Sequence, residues 1–161
     1  MICIDLEASG LAAESYPIEI AWACVETDRR DSFLIDPESV PGWTYWDEYA
    51  EELHGIEPEL LQREGIPVTQ ACRRLNQALE GEQVISDAFE YDSFWLNRLY
   101  QAAGMKPEFR LTGLESVLGG EQLLQYRLIA RAQFRRHRAM PDVVDLINAI
   151  QAVQNGRPEG T

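Results

Sequence analysis

Asp5 and Glu7 stand two residues apart in a stretch that predicts a short β-strand, residues 2–7. Side chains two apart on a strand project to the same face, so both carboxylates would lie together at the carboxyl end of that strand. Carboxylate oxygens in this arrangement suit a hard divalent cation such as Mg²⁺ or Mn²⁺. An Asp-x-Glu triplet is also commonplace in an acidic chain, and the pair does not by itself establish a metal site.

His137 and Asp142 form a second candidate pair, in the segment His-Arg-Ala-Met-Pro-Asp of residues 137–142. Five positions apart on a continuous helix, their side chains would point about 140° apart and would not easily share one site. Pro141 is tolerated only in the first turn of a helix, which predicts a helix that begins near His137. The histidine then lies on the preceding loop, and Asp142 faces inward one turn later. The alternative is a surface histidine and an aspartate that favours the helix dipole.

The segment that begins at Asp5 resembles the first motif of the DEDD family of 3'-5' exonucleases. That family usually has Asp-x-Glu-Thr-Thr/Ser-Gly-Leu followed by an Ile-Glu-Ile strand. Here Glu7 is followed by Ala-Ser-Gly-Leu, and residues 16–21 read Tyr-Pro-Ile-Glu-Ile-Ala. The resemblance implies that the last residue of the motif wedges against the terminal base of a substrate. The substrate-binding residues that it implies are Ala8, which replaces the usual threonine, Ser9, Gly10 and Leu11.

Residues 87–92, Asp-Ala-Phe-Glu-Tyr-Asp, resemble the second motif of the family, His-Asn-Ala-x-Phe-Asp. The aromatic residue before Asp92 and the Trp-Leu pair at 95–96 favour Asp92 as the aspartate of this motif. The His-Asn pair is replaced, and Asp87 could instead cap the following helix. Asp87 and Glu90 also remain alternative metal ligands.

Two further segments extend the resemblance. Residues 54–56, His-Gly-Ile, are similar to a family segment that precedes a helix, and we interpret His54 as a loop histidine bonded to backbone. Residues 137–142 match His-x-Ala-x-x-Asp, the signature of the histidine-bearing DEDDh subgroup, to which proofreading subunits, ribonuclease T and oligoribonuclease belong. The motifs span about 140 of the 161 residues. They imply an α/β fold of the ribonuclease H-like type, a mixed five-stranded sheet flanked by helices, with the first strand central.

The resemblance also implies a reaction, the metal-dependent release of nucleoside 5'-monophosphates from the 3' end of a single strand. Two divalent cations, Mg²⁺ or Mn²⁺, about 4 Å apart would activate water and neutralise the developing charge. Asp5 would bridge both ions, Glu7 and Asp142 would complete the first site, and Asp92 would help to hold the second. Because histidine titrates near neutral pH, His137 is suited to take the proton of the attacking water.

The expected substrate is a single-stranded 3' end whose terminal base stacks on apolar side chains, with RNA slightly favoured over DNA. The net charge of −13 disfavours a protein that grips long nucleic acid, and so predicts short strands. A homodimer is suggested only by relatives such as ribonuclease T. A cluster of arginines near His137 is expected to meet the phosphates: Arg127, Arg131, Arg135, Arg136 and Arg138.

Two other functions fit the same residues. The altered second motif is compatible with a catalytically silent nucleic-acid or protein-interaction module of the same fold. An enzyme of this fold that acts on a nucleotide or on a non-polymeric phosphodiester is the other alternative. Metal binding would distinguish a nuclease from the silent module. A panel of mono- and oligonucleotides would distinguish a nuclease from the enzyme that acts on a nucleotide or on a non-polymeric phosphodiester.

Hydrophobic periodicity predicts the elements that must position these residues. Strands are predicted at 2–7, 18–25, 31–36, 83–86 and 109–111. Helices are predicted at 47–53, 57–62, 69–79 and 91–103, and two more helices complete the chain. We expect one exonuclease domain over residues 1–154 and a flexible tail over 155–161.

Composition adds little about function. Cys3, Cys24 and Cys72 are scattered in apolar segments, so we interpret them as reduced and buried, not as a disulfide framework or a zinc site. No apolar run approaches the roughly 20 residues that span a bilayer, and no basic region followed by a hydrophobic stretch opens the chain. We therefore expect a cytoplasmic protein without membrane contact.

Overall fold

The computed structural model describes residues 1–133 and 135–156. The strands are β1 (Ile2–Ala8), β2 (Pro17–Cys24), β3 (Arg30–Leu34), β4 (Gln83–Ile85) and β5 (Arg110–Thr112). The helices are α1 (Glu48–His54), α2 (Pro58–Glu64), α3 (Val68–Leu79), α4 (Phe89–Ala103), α5 (Gly120–Ala132) and α6 (Ala139–Gln154). Short 3₁₀ turns lie at Pro37–Ser39 and Leu114–Ser116.

The five strands form one mixed sheet in the order β3-β2-β1-β4-β5. β1 pairs antiparallel with β2 and parallel with β4, and β5 continues the sheet parallel to β4. The predicted five-stranded sheet with a central first strand is therefore confirmed. A central strand is covered on both faces, which explains why residues 2–6 are all buried.

Side chains of β1 alternate between two hydrophobic cores. Ile2, Ile4 and Leu6 face the core built by α3 and α4. Cys3 faces the other way, together with small residues of β2, and this face packs against α5 and α6. Because small side chains let a helix approach a sheet closely, α6 lies directly over β1 and β2.

The predicted strand and helix bounds agree with the observed ones to within two residues. β3 ends at Leu34, earlier than predicted; Ile35 donates a hydrogen bond to the Ile18 carbonyl of β2 and forms a single parallel bridge with Ile66. Helix α6 ends at Gln154. Most of the predicted tail, residues 157–161, lies outside the described residues.

Two local expectations are wrong. Asp87 does not cap α4, because the N-cap position belongs to Ala88 and no side chain caps that helix. Cys24 is half-buried at the end of β2, whereas Cys3 and Cys72 are buried as expected; all three are free thiols. None of the helices within 1–133 and 135–156 is long and apolar enough to cross a membrane.

Candidate active site

The carboxyl ends of the neighbouring parallel strands β1 and β4 meet at one edge of the sheet. Asp5, which is buried, and Glu7, which is half-buried, project from β1 there. After β4 the chain passes through Ser86 and Asp87 into α4, whose first turn carries Asp92. Ser86 Oγ donates a hydrogen bond of 2.5 Å to Asp92 Oδ2. This bond holds the Asp92 carboxylate at the strand ends.

Asp142 reaches the same edge from the first turn of α6, which also contains Pro141 as the sequence predicts. The start of α6 is bound to β2 through Glu19, which lies opposite Glu7 in the antiparallel ladder. Glu19 accepts hydrogen bonds from the Arg138 guanidinium and from the Ala139 N–H. A buried carboxylate of β2 therefore sets where α6 begins.

These elements assemble two carboxylate triads. Asp5, Glu7 and Asp142 each offer an oxygen, and these oxygens lie within 4.8 Å of one another. Asp5, Asp87 and Asp92 form a second triad by the same measure. Asp5 is shared by both. The structure thus brings the four carboxylates of the sequence motifs together and adds Asp87.

The first triad contains buried oxygens that lack hydrogen-bond partners. Asp5 Oδ2, Glu7 Oε1 and both carboxylate oxygens of Asp142 accept no hydrogen bond from the described part of the chain, although Arg135 Nε lies 3.6 Å from Asp142 Oδ2. Leaving such oxygens unpaired is costly, and a divalent cation would satisfy several of them at once. Because all the donors are hard oxygens, the residues fit Mg²⁺ or Mn²⁺.

The crowding of acids perturbs their titration. Burial raises the pKa of Asp5 well above its usual range, and the charges of Asp92, Glu7 and Asp87 raise it further. Burial and then the Asp142 carboxylate raise the pKa of Glu7 to about 8. Burial raises the pKa of Asp92 to about 7, although the hydrogen bond from Ser86 opposes the shift. A cluster of this kind favours protons or cations.

Arg135 is the cation that the chain itself supplies to the cluster. Its Nη2 lies 3.7 Å from Asp5 Oδ1 and its Nε 3.6 Å from Asp142 Oδ2, which are ion-pair rather than hydrogen-bond distances. Burial lowers the pKa of Arg135, but the carboxylates of Asp5, Asp87 and Asp142 outweigh it and the net shift is upward. Its side chain lines both the main cleft and a small adjoining cavity of about 60 Å³.

Three arginines of the predicted cluster already pair with acids of the chain, and a phosphate contact from them stays a prediction. Arg135 lies among the triads, and Arg136 Nη2 is 3.2 Å from Asp145 Oδ1. Arg138 Nη2 is 2.7 Å from Glu19 Oε2. The acids of the sheet edge and of α6 attract these guanidinium groups, which sequence spacing could not show.

His137 lies on the segment before α6 and lines the main cleft with Asp5, Glu7 and Asp92. Its φ of 55° is in the left-handed region, and no other non-glycine residue within 1–133 and 135–156 has a positive φ. Such a backbone costs on the order of 1 kcal/mol, so the surrounding structure must hold it. The Glu19 contacts at Arg138 and Ala139 do so immediately after the histidine.

The cleft beside the carboxylates has a volume of about 360 Å³, within the range of small-molecule sites. Apolar and aromatic side chains line its other part: Leu11, Tyr49, Leu53, Tyr91 and Trp95. Leu11 is 75% exposed and Tyr49 is 67% exposed. The exposed Tyr49 ring offers a flat surface on which a heterocyclic base can stack, and Leu11 offers apolar surface against which a base can pack.

The residues predicted to bind substrate divide into two groups. Ala8, Gly10 and Leu11 line the cleft. Ser9 does not: it is fully buried, and its Oγ accepts the Tyr16 N–H at 3.2 Å. The Ser9 side chain therefore supports the turn after β1, and a substrate contact from it stays a prediction.

His54 ends α1, and its Nδ1 accepts the Ile56 N–H at 2.9 Å. The predicted bond to backbone is therefore present, at a helix end rather than in a loop. Burial lowers the pKa of His54, which favours the neutral ring. The ring borders the cleft.

Sequence reasoning missed the contribution of α1 to the cleft. Tyr49 and Leu53 stand four residues apart on a helix that the sequence does predict, so they share one face. Both are exposed and apolar. That combination was the available signal, because an exposed apolar pair on a short helix commonly marks a binding surface.

The fold is similar to part of the solved structures of exonuclease I. No protein-family model matches the chain, and no curated protein does either. The structure of the zinc-bound Escherichia coli exonuclease I complex with single-stranded DNA is similar at a TM-score of 0.72 and 13% identity, over 98% of this chain and 41% of that one. The E. coli enzyme with a dA16 oligonucleotide gives a TM-score of 0.70 and 14% identity, over 97% and 40%.

The moderately thermophilic exonuclease I of Methylocaldum szegediense gives a TM-score of 0.60 and 12% identity, over 83% of this chain and 30% of that one. The chain therefore spans about two fifths of the length of the E. coli structures. At these identities the similarity shows the α/β fold, a mixed five-stranded sheet flanked by helices.

Proposed function

We propose that the chain is a metal-dependent 3'-5' exonuclease that acts on single-stranded nucleic acid. The observation that carries this proposal is the pair of carboxylate triads that share Asp5 beside a cleft of nucleotide size. The likeness of fold to exonuclease I, whose structures include complexes with single-stranded DNA, supports it.

Asp5, Glu7 and Asp142 would hold one divalent cation, and Asp5 with Asp92 would hold a second. When bound, such cations lower the pKa of water and neutralise charge on a phosphodiester. The unpaired oxygens of Asp5, Glu7 and Asp142 support this assignment. The metal is Mg²⁺ or Mn²⁺ on the chemistry of these donors.

His137 acts as the general base. It accepts a proton from water as the water oxygen bonds to phosphorus, and the bond between phosphorus and the 3'-oxygen breaks. The leaving 3'-oxygen takes a proton from solvent. The products are a nucleoside 5'-monophosphate and a strand shortened by one nucleotide, with a free 3'-hydroxyl.

The terminal base stacks against the apolar part of the cleft, where Leu11 and Tyr49 are exposed. The net charge of −13 favours short strands, because long strands need many cationic contacts. RNA over DNA, action in the cytoplasm and a homodimeric state stay predictions.

The test is degradation of 5'-labelled single-stranded RNA and DNA, each as a 10-mer and a 40-mer, with Mn²⁺, Mg²⁺ or EDTA. A ladder that shortens from the 3' end with metal, and is lost with EDTA and in Asp5→Asn, is expected. His137→Ala should slow it while leaving metal binding intact. Asp31→Asn, an acid of the distant Arg74 pair, is the matched control.

Two results would redirect the proposal. Strand binding without cleavage under either metal would favour the catalytically silent module. Cleavage of a nucleotide diester but not of an oligonucleotide would favour the enzyme of small phosphodiesters. In both cases the 3'-5' exonuclease assignment would be withdrawn.

A further inference from the structure

Asp87 is an exposed residue just beyond the carboxyl end of β4. The sheet does not depend on its side chain. It caps no helix, since Ala88 is the N-cap of α4 and Ser86 Oγ accepts the Ala88 N–H at 3.1 Å. Within residues 1–133 and 135–156, its Oδ2 receives one long hydrogen bond, 3.5 Å, from the Tyr126 hydroxyl. Because the Asp87 side chain contributes so little to the fold, it is available to bind a ligand.

The position of Asp87 is close to two buried acids. One of its oxygens lies within 4.8 Å of oxygens of both Asp5 and Asp92. Asp5 is only 2% exposed, and its Oδ2 has no hydrogen-bond partner in the described ranges. An unpaired, almost fully buried carboxylate oxygen within such a group points to a cation, because a proton or a metal is what relieves it.

We propose that Asp87 is a direct ligand of the second divalent cation, together with Asp5 and Asp92. This inference rests on the proposed function, and it makes the second site a three-carboxylate site that the chain completes without a histidine or an amide. The sequence motif that Asp87 belongs to differs from its family pattern at this very position. A third carboxylate adds negative charge to the ligands of the second cation.

Tyr126 contacts Asp87 from α5. The Tyr126 ring is buried on α5, and its hydroxyl reaches Asp87 from the side of the small cavity that Arg135, Asp142 and Asp87 also line. Burial raises the pKa of Tyr126, so the phenol stays protonated and can donate. The Tyr126 hydroxyl is thus a hydrogen-bond donor to Asp87 Oδ2 on the side of α5.

The test counts Mn²⁺ ions bound per chain at pH 7.5 by isothermal titration calorimetry and by electron paramagnetic resonance. Wild type should bind two ions and give the signal of a coupled pair. Asp87→Ala should weaken the second ion at least tenfold, remove the coupled signal and keep the first ion. Glu90→Ala, an exposed acid three residues away and outside both triads, should match wild type.

Thermal melts in EDTA distinguish misfolding of the variant from loss of a metal ligand. Asp87→Ala should melt at or above the wild-type temperature, because the substitution removes a negative charge from a cluster of acids. Two ions of wild-type affinity in Asp87→Ala would overturn the proposal, as would a wild-type chain that binds only one ion. Both results can occur in a chain that degrades strands, so the nuclease would survive them. Conversely, wild type could bind two ions and Asp87→Ala one, without degradation of any strand. This result would support Asp87 as a metal ligand and would contradict the proposed nuclease activity.

Discussion

The Arg138 guanidinium binds the Glu19 carboxylate in a bidentate manner: its Nη2 lies 2.7 Å from Glu19 Oε2 and its Nε lies 3.1 Å from Glu19 Oε1. The same carboxylate accepts the Ala139 N–H at 2.8 Å. One side chain of β2 thus binds both the last residue before α6 and the first residue within it. We call these contacts of Glu19 with Arg138 and Ala139 the clamp. Because His137 precedes the clamp and Asp142 follows it, the clamp fixes both residues that the motif at 137–142 contributes to the site.

Glu19→Ala should therefore lower the free energy of unfolding by about 2 kcal/mol, since it leaves the Ala139 N–H and the Arg138 guanidinium without their acceptor. Urea denaturation measures this. The comparison is Asp31→Ala, which breaks a more exposed Arg74 pair and should cost less than about 1 kcal/mol. Equal losses in the two variants would mean that the clamp has no special role.

Arg135→Gln should tighten the binding of Mn²⁺ roughly tenfold, which corresponds to 1.4 kcal/mol. Arg135 pairs with Asp5 and Asp142, so an arriving cation must displace its positive charge. Calorimetric titration with Mn²⁺ measures the affinity, and Arg136→Gln, whose partner Asp145 belongs to neither triad, serves as the control. Weaker binding in Arg135→Gln would show instead that the arginine orients the ligands.

The stability of the metal-free protein should fall as pH rises from 5.5 to 8.5. The folded-state pKa is about 7 for Asp92 and about 8 for Glu7, whereas unfolded carboxyls titrate near 4. The folded chain holds these protons more tightly than the unfolded chain, so folding is favoured at the low end of this range and loses that advantage as the groups ionise.

Melting temperatures in EDTA should therefore drop by several degrees across this range, and Asp92→Asn should flatten the curve. Saturating Mn²⁺ should raise the melting temperature most at pH 8.5, where the carboxylates are ionised. A melting temperature that rises with pH in EDTA would contradict the assignment of these protons to the folded state.

Leu11→Ala should raise KM for a single strand about tenfold and leave the melting temperature unchanged, because this side chain is 75% exposed and borders the cleft. Leu128→Ala is the matched control, since Leu128 is 68% exposed on α5 and does not line the cleft. A change in kcat alone would argue against contact with the terminal base.

Local periodicity predicted the parts of the site that depend on one element. Asp5 and Glu7 share a strand face because the side-chain period of a strand is two, and Pro141 restricts where α6 can start. The positions of the five predicted strands followed from hydrophobic periodicity in the same way. These inferences need no knowledge of distant contacts.

Tertiary contacts decide what the sequence could not predict. Arg135 belongs to a run of arginines that indicates a phosphate-binding surface, yet acids 7 and 130 positions away along the chain hold it (142 − 135 and 135 − 5). Glu19 reads as one polar residue of an apolar strand, and only the packing of α6 over β2 gives it a partner. Similarly, Asp87 lies near Asp5 because β1 pairs parallel with β4, and the sequence alone does not show this pairing.

The spread of the first triad along the chain also sets the time at which it forms. Asp142 follows Thr112, the last residue of β5, by 30 residues (142 − 112), and α6 must dock before Asp142 meets Asp5. At roughly 5–20 residues per second of synthesis, this separation amounts to about 1.5–6 s. A nascent chain that already contains the sheet thus lacks a complete first carboxylate triad until α6 has been made.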